Sequence, residues 1–586
     1  MGLVVVAALL LTAPAAAAQP VATAPSTKPL APADRQYLEL PPLPAIPPSQ
    51  GLDERPMLSN ATVVRVSRLQ FCGNTVFSEQ ALLDAPVNPA DASTGTIGQF
   101  ITARGADGLT LEQLEQVRVA VTMHYVEAGY INSGAVIDDQ PINPDPSAGN
   151  EIVVQVVEGR LSEVKLVREG KLRWLRDRYV LDRIRRAASA PLDVNRLRDG
   201  LELLRQDPRL KRINAELRPG EQPGQANLDV TVEEANPLHL GLLFSNRRPP
   251  SVGAERFELL VSMDNLLGFG DSVALRYGIN QGDLDDWQWA GLDDFDLDYT
   301  IPITAADTTI TFSLSRSDST LVEQPFDELD LDTESTRVGV TVRHPVYRTP
   351  TSELAVFLGV TTQRTETRLL GERIDLSPGS VEGESNVTAV RFGQEYFRRS
   401  TTEALSLRST FSFGVDAFES TINAGNIADS QFVSWLAQAQ YVRRLGQGNA
   451  QLILRASAQF TPDSLLGPEQ FAIGGVDTVR GYRENTVVRD NGLAGTVELR
   501  LPLIRRRGDD TPILTLAPFV DAGYGFNRDQ RPSGEYLVSV GAGLIFTPIE
   551  QFNARVYYGR RLNDVSDDSG NLQDLGIHFA VEYRPF

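Results

Sequence analysis

From Pro237 to the C-terminus the chain alternates apolar and polar residues in segments about 10 residues long, separated by turn-rich and acidic stretches. Strict period two over that length is a strand pattern, and it excludes helical packing throughout this half. Sixteen such segments start near Leu238, Ala254, Asp271, Asp293, Thr308, Thr333, Ser352, Glu384, Thr402, Gln431, Ala450, Leu493, Thr511, Tyr536, Glu550 and Leu575. An even number of strands of this length suits an all-β transmembrane barrel of 16 antiparallel strands spanning residues 237–586. In "YLVSVGAGLIF", Tyr536, Val538, Val540, Ala542, Leu544 and Phe546 take the lipid side and Ser539, Gly541 and Gly543 the lumen. In "FNARVYYG", Phe552, Ala554, Val556 and Tyr558 face out while Asn553, Arg555 and Tyr557 face in. Leu575, Ile577, Phe579, Val581 and Tyr583 repeat the pattern, which sends His578, Glu582 and Arg584 inward. A soluble β-sandwich also alternates, but the N-terminus favours export.

"MGLVVVAALLLTAPAAAAQP" reads as a signal peptide cleaved after Ala18. No Lys or Arg precedes its apolar stretch, so a start upstream of Met1 is expected. Residues 19–60 form a proline-rich linker, with ten prolines between Gln19 and Pro56 holding it near polyproline geometry. Within it only "ADRQYLEL", Ala33 to Leu40, is expected to make two helical turns. Hydrophobic residues make up 41% of the chain, and no apolar run after the N-terminus is long enough for a spanning helix. The formal charge of −21 argues against nucleic acid as a partner. A single cysteine, Cys72, forbids an intrachain disulfide, and His124, His239, His344 and His578 are too scattered for a local metal motif. Cys72 is read as a small core residue.

Residues 61–159 and 160–236 share one plan of strand, helices, then two strands. In the first, "TVVRVSRLQF" is a strand and a short helix opens at Ser78. Thr110 and Gln113 form a capping box for a second helix, with Leu111, Leu114, Val117, Val121 and Tyr125 on one stripe and Gly129 at its end. In the second, "LSEVKLV" precedes helices at Tyr179–Ala187 and Val194–Gln206 and strands at Leu210–Leu217 and Asn227–Glu233. Two α+β units of this kind present sheet edges to extended peptides. Between Lys165 and Arg218 there are 16 Lys or Arg against 8 Asp or Glu, read either as a solvated face or as an attractor of acidic segments.

A sixteen-stranded barrel encloses an aqueous channel that something must fill or gate. The longest non-alternating insertion of the C-terminal half, about Thr461 to Asn491, contains "FAIGGVDTVRGYRE". Gly474, Gly475 and Gly481 allow sharp turns, and Arg480 is presented at the tip beside Val479 and Tyr482. Parity turns Asp521 and Glu498 inward on the strands that follow, where they offer carboxylates to a guanidinium. By itself the R-G-Y tripeptide is weak evidence and reads as an ordinary solvated loop arginine.

"GGVDTVRGY" resembles the VRGF/Y motif of the outer-membrane protein assembly and secretion superfamily, and "FVDAG" resembles its partner on a following strand. "FCGNTVFSEQAL", "YINSGAVI" and "IVVQVVEGRLSEV" are similar to POTRA domains, and "MDNLLGFGDSV" to the early barrel segment of two-partner secretion transporters, the TpsB class. The resemblance covers about residues 62 to 586. It implies two periplasmic POTRA domains that capture an unfolded TpsA-class exoprotein, and a barrel in outer-membrane lipid that passes it outward as a monomer. It also implies that Arg480 pairs with Asp521, with Glu498 as a further acidic neighbour. Two POTRA units favour a secretion transporter over the barrel-assembly insertase of the same superfamily. An enzyme is disfavoured, since neither G-x-S-x-G nor H-E-x-x-H occurs, and no cofactor or metal is expected. A plain porin has no need of peptide-binding units. The missing phosphate-loop motif accords with export without nucleotide hydrolysis. Many relatives plug the pore with an N-terminal helix, and the prolines of residues 19–60 argue against a long one here.

Overall fold

A computed structural model describes Leu38–Glu39 and residues 63–585, except 89–94, 106, 142–148, 281–292, 322–330, 426, 447, 509, 529–532 and 564–569. The expected signal peptide and most of the proline-rich segment lie outside the described residues. The chain divides into two units, one reaching to Ala235 and the other beginning at Asn236.

In the first unit, strands at Val66–Cys72, Gly134–Val136 and Asn150–Val157 form a sheet in which the last strand is central. It pairs parallel with the first and antiparallel with the second. The helix at Leu111–Glu127 starts where the capping box places it: Thr110 Oγ1 accepts from Gln113 N, and Gln113 Oε1 accepts from Thr110 N. Its buried stripe of Leu114, Val117, Ala120, Val121 and Tyr125 meets Leu69, Ile152, Val154 and Val156 of the sheet. Ser78 caps the short helix Glu79–Leu83, as its sequence suggests. A further helix, Ile97–Arg104, opens on a second reciprocal capping box made by Thr96 and Gln99. The strand expected from "TVVRVSRLQF" is split, because Val63–Val64 turns away to pair with Leu109–Thr110.

The next half repeats the topology around its own apolar cluster. Arg160–Glu169 runs parallel to Gln225–Glu234, and Leu210–Pro219 antiparallel to it. Helices Asp177–Ala187 and Val194–Arg205 cover one face through Val180, Ile184, Leu197, Leu201 and Leu204. Residues Leu38–Glu39, expected within a short helix, are instead a strand lying parallel against Ala215 and Glu216. Backbone groups of a sheet edge need partners, and Leu38 and Glu39 supply them here. The rest of Ala33 to Leu40 lies outside the described residues. Much of the basic excess is internally compensated: Arg168, Arg178, Arg205, Arg209, Lys211, Arg212 and Arg218 each meet a carboxylate. Lys165, Lys171 and Arg186 make no ion pair among the described residues.

The second unit is a closed antiparallel barrel of sixteen long strands among the described residues, from Leu238–Ser245 to Ile577–Tyr583. Each strand begins within two residues of its expected start. The alternation divides the wall as expected. Val497, Val520, Val540, Leu544, Phe546 and Val556 are exposed on the outside, whereas Glu498, Asp521, Ser539, Tyr557 and His578 are buried inside. The chain enters the barrel at the end where Leu238 begins, and the insertion at 461–490 leaves from the opposite end.

Candidate functional site

The insertion at 461–490 turns back into the lumen. Its stem is a small hairpin, Phe471–Ile473 paired with Val487–Arg489. Beyond it, Gly474 and Gly475 adopt left-handed backbone conformations with φ of 116° and 89°. A Cβ at Gly474 would stand 2.4 Å from the backbone oxygen of Arg483, so the turn closes too tightly for a side chain. Thr478 Oγ1 accepts from Gly474 N and donates to Gly474 O, which fixes the bend that aims the tip at the wall.

At the tip Arg480 is only 1% exposed. Its Nε and Nη2 donate to the two oxygens of Asp521 at 2.8 and 2.9 Å, a bidentate fork. Its own backbone N–H adds a third bond to Asp521, at 3.0 Å. Nη1 reaches Glu498 Oε2 at 2.5 Å, and the other Glu498 oxygen accepts from Arg500 Nε at 2.8 Å. Two guanidiniums thus meet two carboxylates, so the cluster is neutral while each charge is compensated. That balance matters because Asp521 and Glu498 are 0% and 1% exposed, and a lone charge there would be costly. The guanidinium plane also lies over the Phe519 ring, 3.6 Å from its centroid, with Tyr557 at 4.9 Å.

The rest of the motif binds other strands. Gly481 has φ of 94°, and a Cβ on it would lie 2.6 Å from Gly559 O on the wall. Gly559 is equally constrained, since a Cβ there would meet Gly481 N at 2.7 Å. Glycine therefore faces glycine where backbone touches backbone. Gly481 N donates to His578 Nε2 at 3.1 Å, and Gly481 O accepts from Arg561 Nε at 2.8 Å. The Tyr482 hydroxyl lies 2.6 Å from Asn563 Oδ1 and 2.9 Å from Val538 O. Arg483 forms a second bidentate pair with Asp574, at 2.5 and 2.8 Å. Val479 and Tyr482 pack with Phe471, Ile473, Val487, Ala494 and Leu537.

The structure brings together Arg480, Asp521 and Glu498, with Gly474, Gly475, Gly481, Val479 and Tyr482 each holding the loop's shape or its contact. Sequence reading missed Arg483–Asp574, the Phe519 and Tyr557 rings, Arg500, and the roles of His578 and Arg561. Phe519, Tyr557 and His578 carried the signal of inward parity, but parity does not say which inward residue meets the tip. A second segment, Asn246 to Glu255, is also buried at the end of the barrel opposite the entry. Arg248 and Arg256 both contact Asp294 at 3.1 Å, and Val252 packs with Leu321 and Leu331. Among the described residues there is no group of three or more His, Cys, Asp or Glu placed to hold a metal.

Comparison with known proteins places this geometry in context. The family model of the haemolysin secretion/activation proteins ShlB/FhaC/HecB matches residues 224–546. Among curated proteins, the chain is 24% identical over 437 residues to the outer membrane transporter CdiB of Dickeya dadantii (strain 3937), an alignment covering 72% of each. It is 21% identical over 490 residues to the heme/hemopexin transporter protein HuxB of Haemophilus influenzae (strain 86-028NP), covering 79% of this chain and 80% of that one. Among solved structures, CdiB from Escherichia coli superposes with a TM-score of 0.65 at 19% identity, over 93% of this chain and 94% of the other. CdiB from Acinetobacter baumannii gives 0.60 at 17% identity, over 89% and 90%. These superpositions show a common fold.

Proposed function

The chain belongs to the haemolysin secretion/activation family of two-partner secretion transporters in the outer membrane, and from that premise we propose that it exports one unfolded partner polypeptide through its barrel. The two α+β units, acting as POTRA domains in the periplasm, capture an N-terminal segment of that exoprotein by extending a sheet edge. The polypeptide then passes through the lumen as a single chain and folds outside. Folding beyond the pore supplies the direction, so no nucleotide is consumed. The barrel acts as a monomer.

The observation that carries this reading is the buried pairing of Arg480 with Asp521 and Glu498. A guanidinium held by three charge-assisted contacts inside a barrel, with the Arg480 backbone N–H adding a fourth bond to Asp521, gives the loop one preferred resting position. A conducting pore for small solutes needs no such lock, whereas a pore for polypeptides has to stay shut between cargoes. The lock is the resting state, and passage requires the loop to leave the path. Two curated relatives are transporters by description, which accords with a role without catalysis.

The direct test is co-expression with the long, secreted, β-helical repeat protein expected to be encoded beside this chain. Release of that protein into the medium should depend on this chain and persist in vesicles without ATP. Release that is unaffected by its absence, or retention together with loss of other outer-membrane barrels, would point instead to assembly of membrane proteins.

A further inference from the structure

The wall of the barrel is weakest where its ends meet. Leu238–Ser245 and Ile577–Tyr583 share only four register pairs, Leu242–Ser245 against Tyr583–Ala580, while every other neighbouring pair of long strands shares seven or more. Side chains continue the seam past the last pair. Asn246 Nδ2 donates to Ile577 O at 2.9 Å, and Asn246 Oδ1 accepts from Phe579 N at 2.7 Å, so its amide stands in for a peptide group of the ladder. Asn246 N donates to Phe579 O at 3.3 Å.

One further amide touches this seam. Gln573, fully buried, donates through Nε2 to Asn246 O at 2.8 Å and to Arg248 O at 2.6 Å. Its Oε1 accepts from Glu484 N, in the lumen loop, at 2.9 Å. The donors of this side chain thus hold the first strand's end, and its acceptor holds the loop. The backbone around it is fixed by the cation that also holds the loop tip: Arg561 donates to Asp574 O at 2.6 Å and to Gly481 O at 2.8 Å.

We infer that Gln573 is a positioning residue through which docking of the lumen loop closes the barrel seam. Undocking the loop takes the partner from Oε1 of a fully buried side chain, and opening the seam takes the partners from both Nε2 protons. Each event leaves the amide partly unsatisfied, so each lowers the cost of the other. That is a coupling free energy between loop and seam, and it is reciprocal. The inference does not depend on what the pore carries.

Hydrogen exchange of the full chain in lipid nanodiscs tests it, with heat-modifiable migration on gels as the check that the barrel is folded. Gln573→Met should speed exchange of residues 242–246 and 577–583 by about fivefold or more, the factor expected for one lost buried hydrogen bond, and leave Ser352–Leu369 unchanged. Arg480→Ala should also speed seam exchange in the chain that keeps Gln573, and should add less than about twofold when Gln573→Met is already present. Effects that multiply, or a seam indifferent to Arg480→Ala, would overturn the coupling. Should Gln573→Met fail to fold, Gln573→Glu keeps the acceptor for Glu484 N and loses both donors. It should loosen the seam while residues 476–484 stay protected. Loosening of both regions, or of neither, would count against the assignment.

Discussion

Replacing Arg480 with alanine will cut export of the partner polypeptide by more than about tenfold while the sixteen-stranded wall stays folded in the membrane. The reason lies in what is left behind. Asp521 and Glu498 remain buried, and Arg500 still pairs with Glu498 but is not paired with Asp521. Breaking a buried pair by removing one partner costs about 3 to 5 kcal/mol, because the other charge stays without compensation. That cost falls on the docked loop and not on the barrel ladder, whose register pairs do not involve Arg480. The loop then samples undocked positions whether or not cargo is present, so the open-state conductance of the variant in planar bilayers should rise. Export falls because release of the loop no longer starts from one docked state and is no longer tied to arrival of the polypeptide. Arg480→Lys should lie between the two, since an ammonium keeps the charge but can neither fork onto Asp521 nor stack over Phe519. Wild-type export together with wild-type conductance in Arg480→Ala would remove the lock from the account.

Deleting residues 62–158 is expected to weaken binding of the exoprotein's N-terminal segment by more than about tenfold and to abolish its release. This half has an apolar cluster of its own, so its removal takes only Ile131 from the edge of the Leu175 to Val232 cluster of the next half. Its sheet has the strand Asn150–Val157 at the centre, with Val66–Cys72 on one edge and Gly134–Val136 on the other. On the latter, Ala135 already donates to Thr122 Oγ1 and accepts from Arg118, so the edge at Val66–Cys72 is the one open to a partner. Edges of this kind carry unpaired backbone groups that an extended peptide can satisfy. In the following half, Leu38–Glu39 already lies on one edge, along Ala215 and Glu216, and so leaves less of it for a partner. Binding is measured on full chain and deletion variant in nanodiscs, with migration on gels as the control for a folded barrel. Unchanged affinity would exclude residues 62–158 from capture.

The wall was legible in the sequence because a barrel strand repeats its rule every second residue, and sixteen repetitions leave little freedom in register or number. Asp521 and Glu498 were legible for the same reason. Parity places a side chain inside, and a buried arginine nearby needs carboxylates. What parity leaves open is height and opposition. Whether Arg480 meets the strand at Asn491–Arg505 or the one at Phe552–Arg561 depends on strand stagger and on how far the loop descends, which no local pattern encodes. Arg483 illustrates this: its partner Asp574 lies 91 residues on, in a loop with no alternation to mark it. Gln573 was silent because an amide in a loop is usually solvated, and its value comes from three backbone groups that only the closed barrel brings together. In the N-terminal unit the helix Ile97–Arg104 was missed because it buries a single residue, Ile97, and so shows no apolar stripe. The strand at Leu38–Glu39 is set by the edge it lies on and not by its own composition.

The central claim is that a polypeptide leaves through this lumen and that the loop has to release for it to do so. A reversible tether tests it within one folded protein. A Cβ at Gly523 would lie 2.5 Å from Cγ2 of Ile473, so cysteines at these two positions stand within disulfide reach and bind the loop stem to the wall. With Cys72 replaced by serine, the pair Ile473→Cys and Gly523→Cys is oxidised or reduced in intact cells, and exoprotein released into the medium is measured. The account predicts that release stops when the tether is closed and returns to the level of the untethered chain on reduction. Release at the full rate through the closed tether would contradict it.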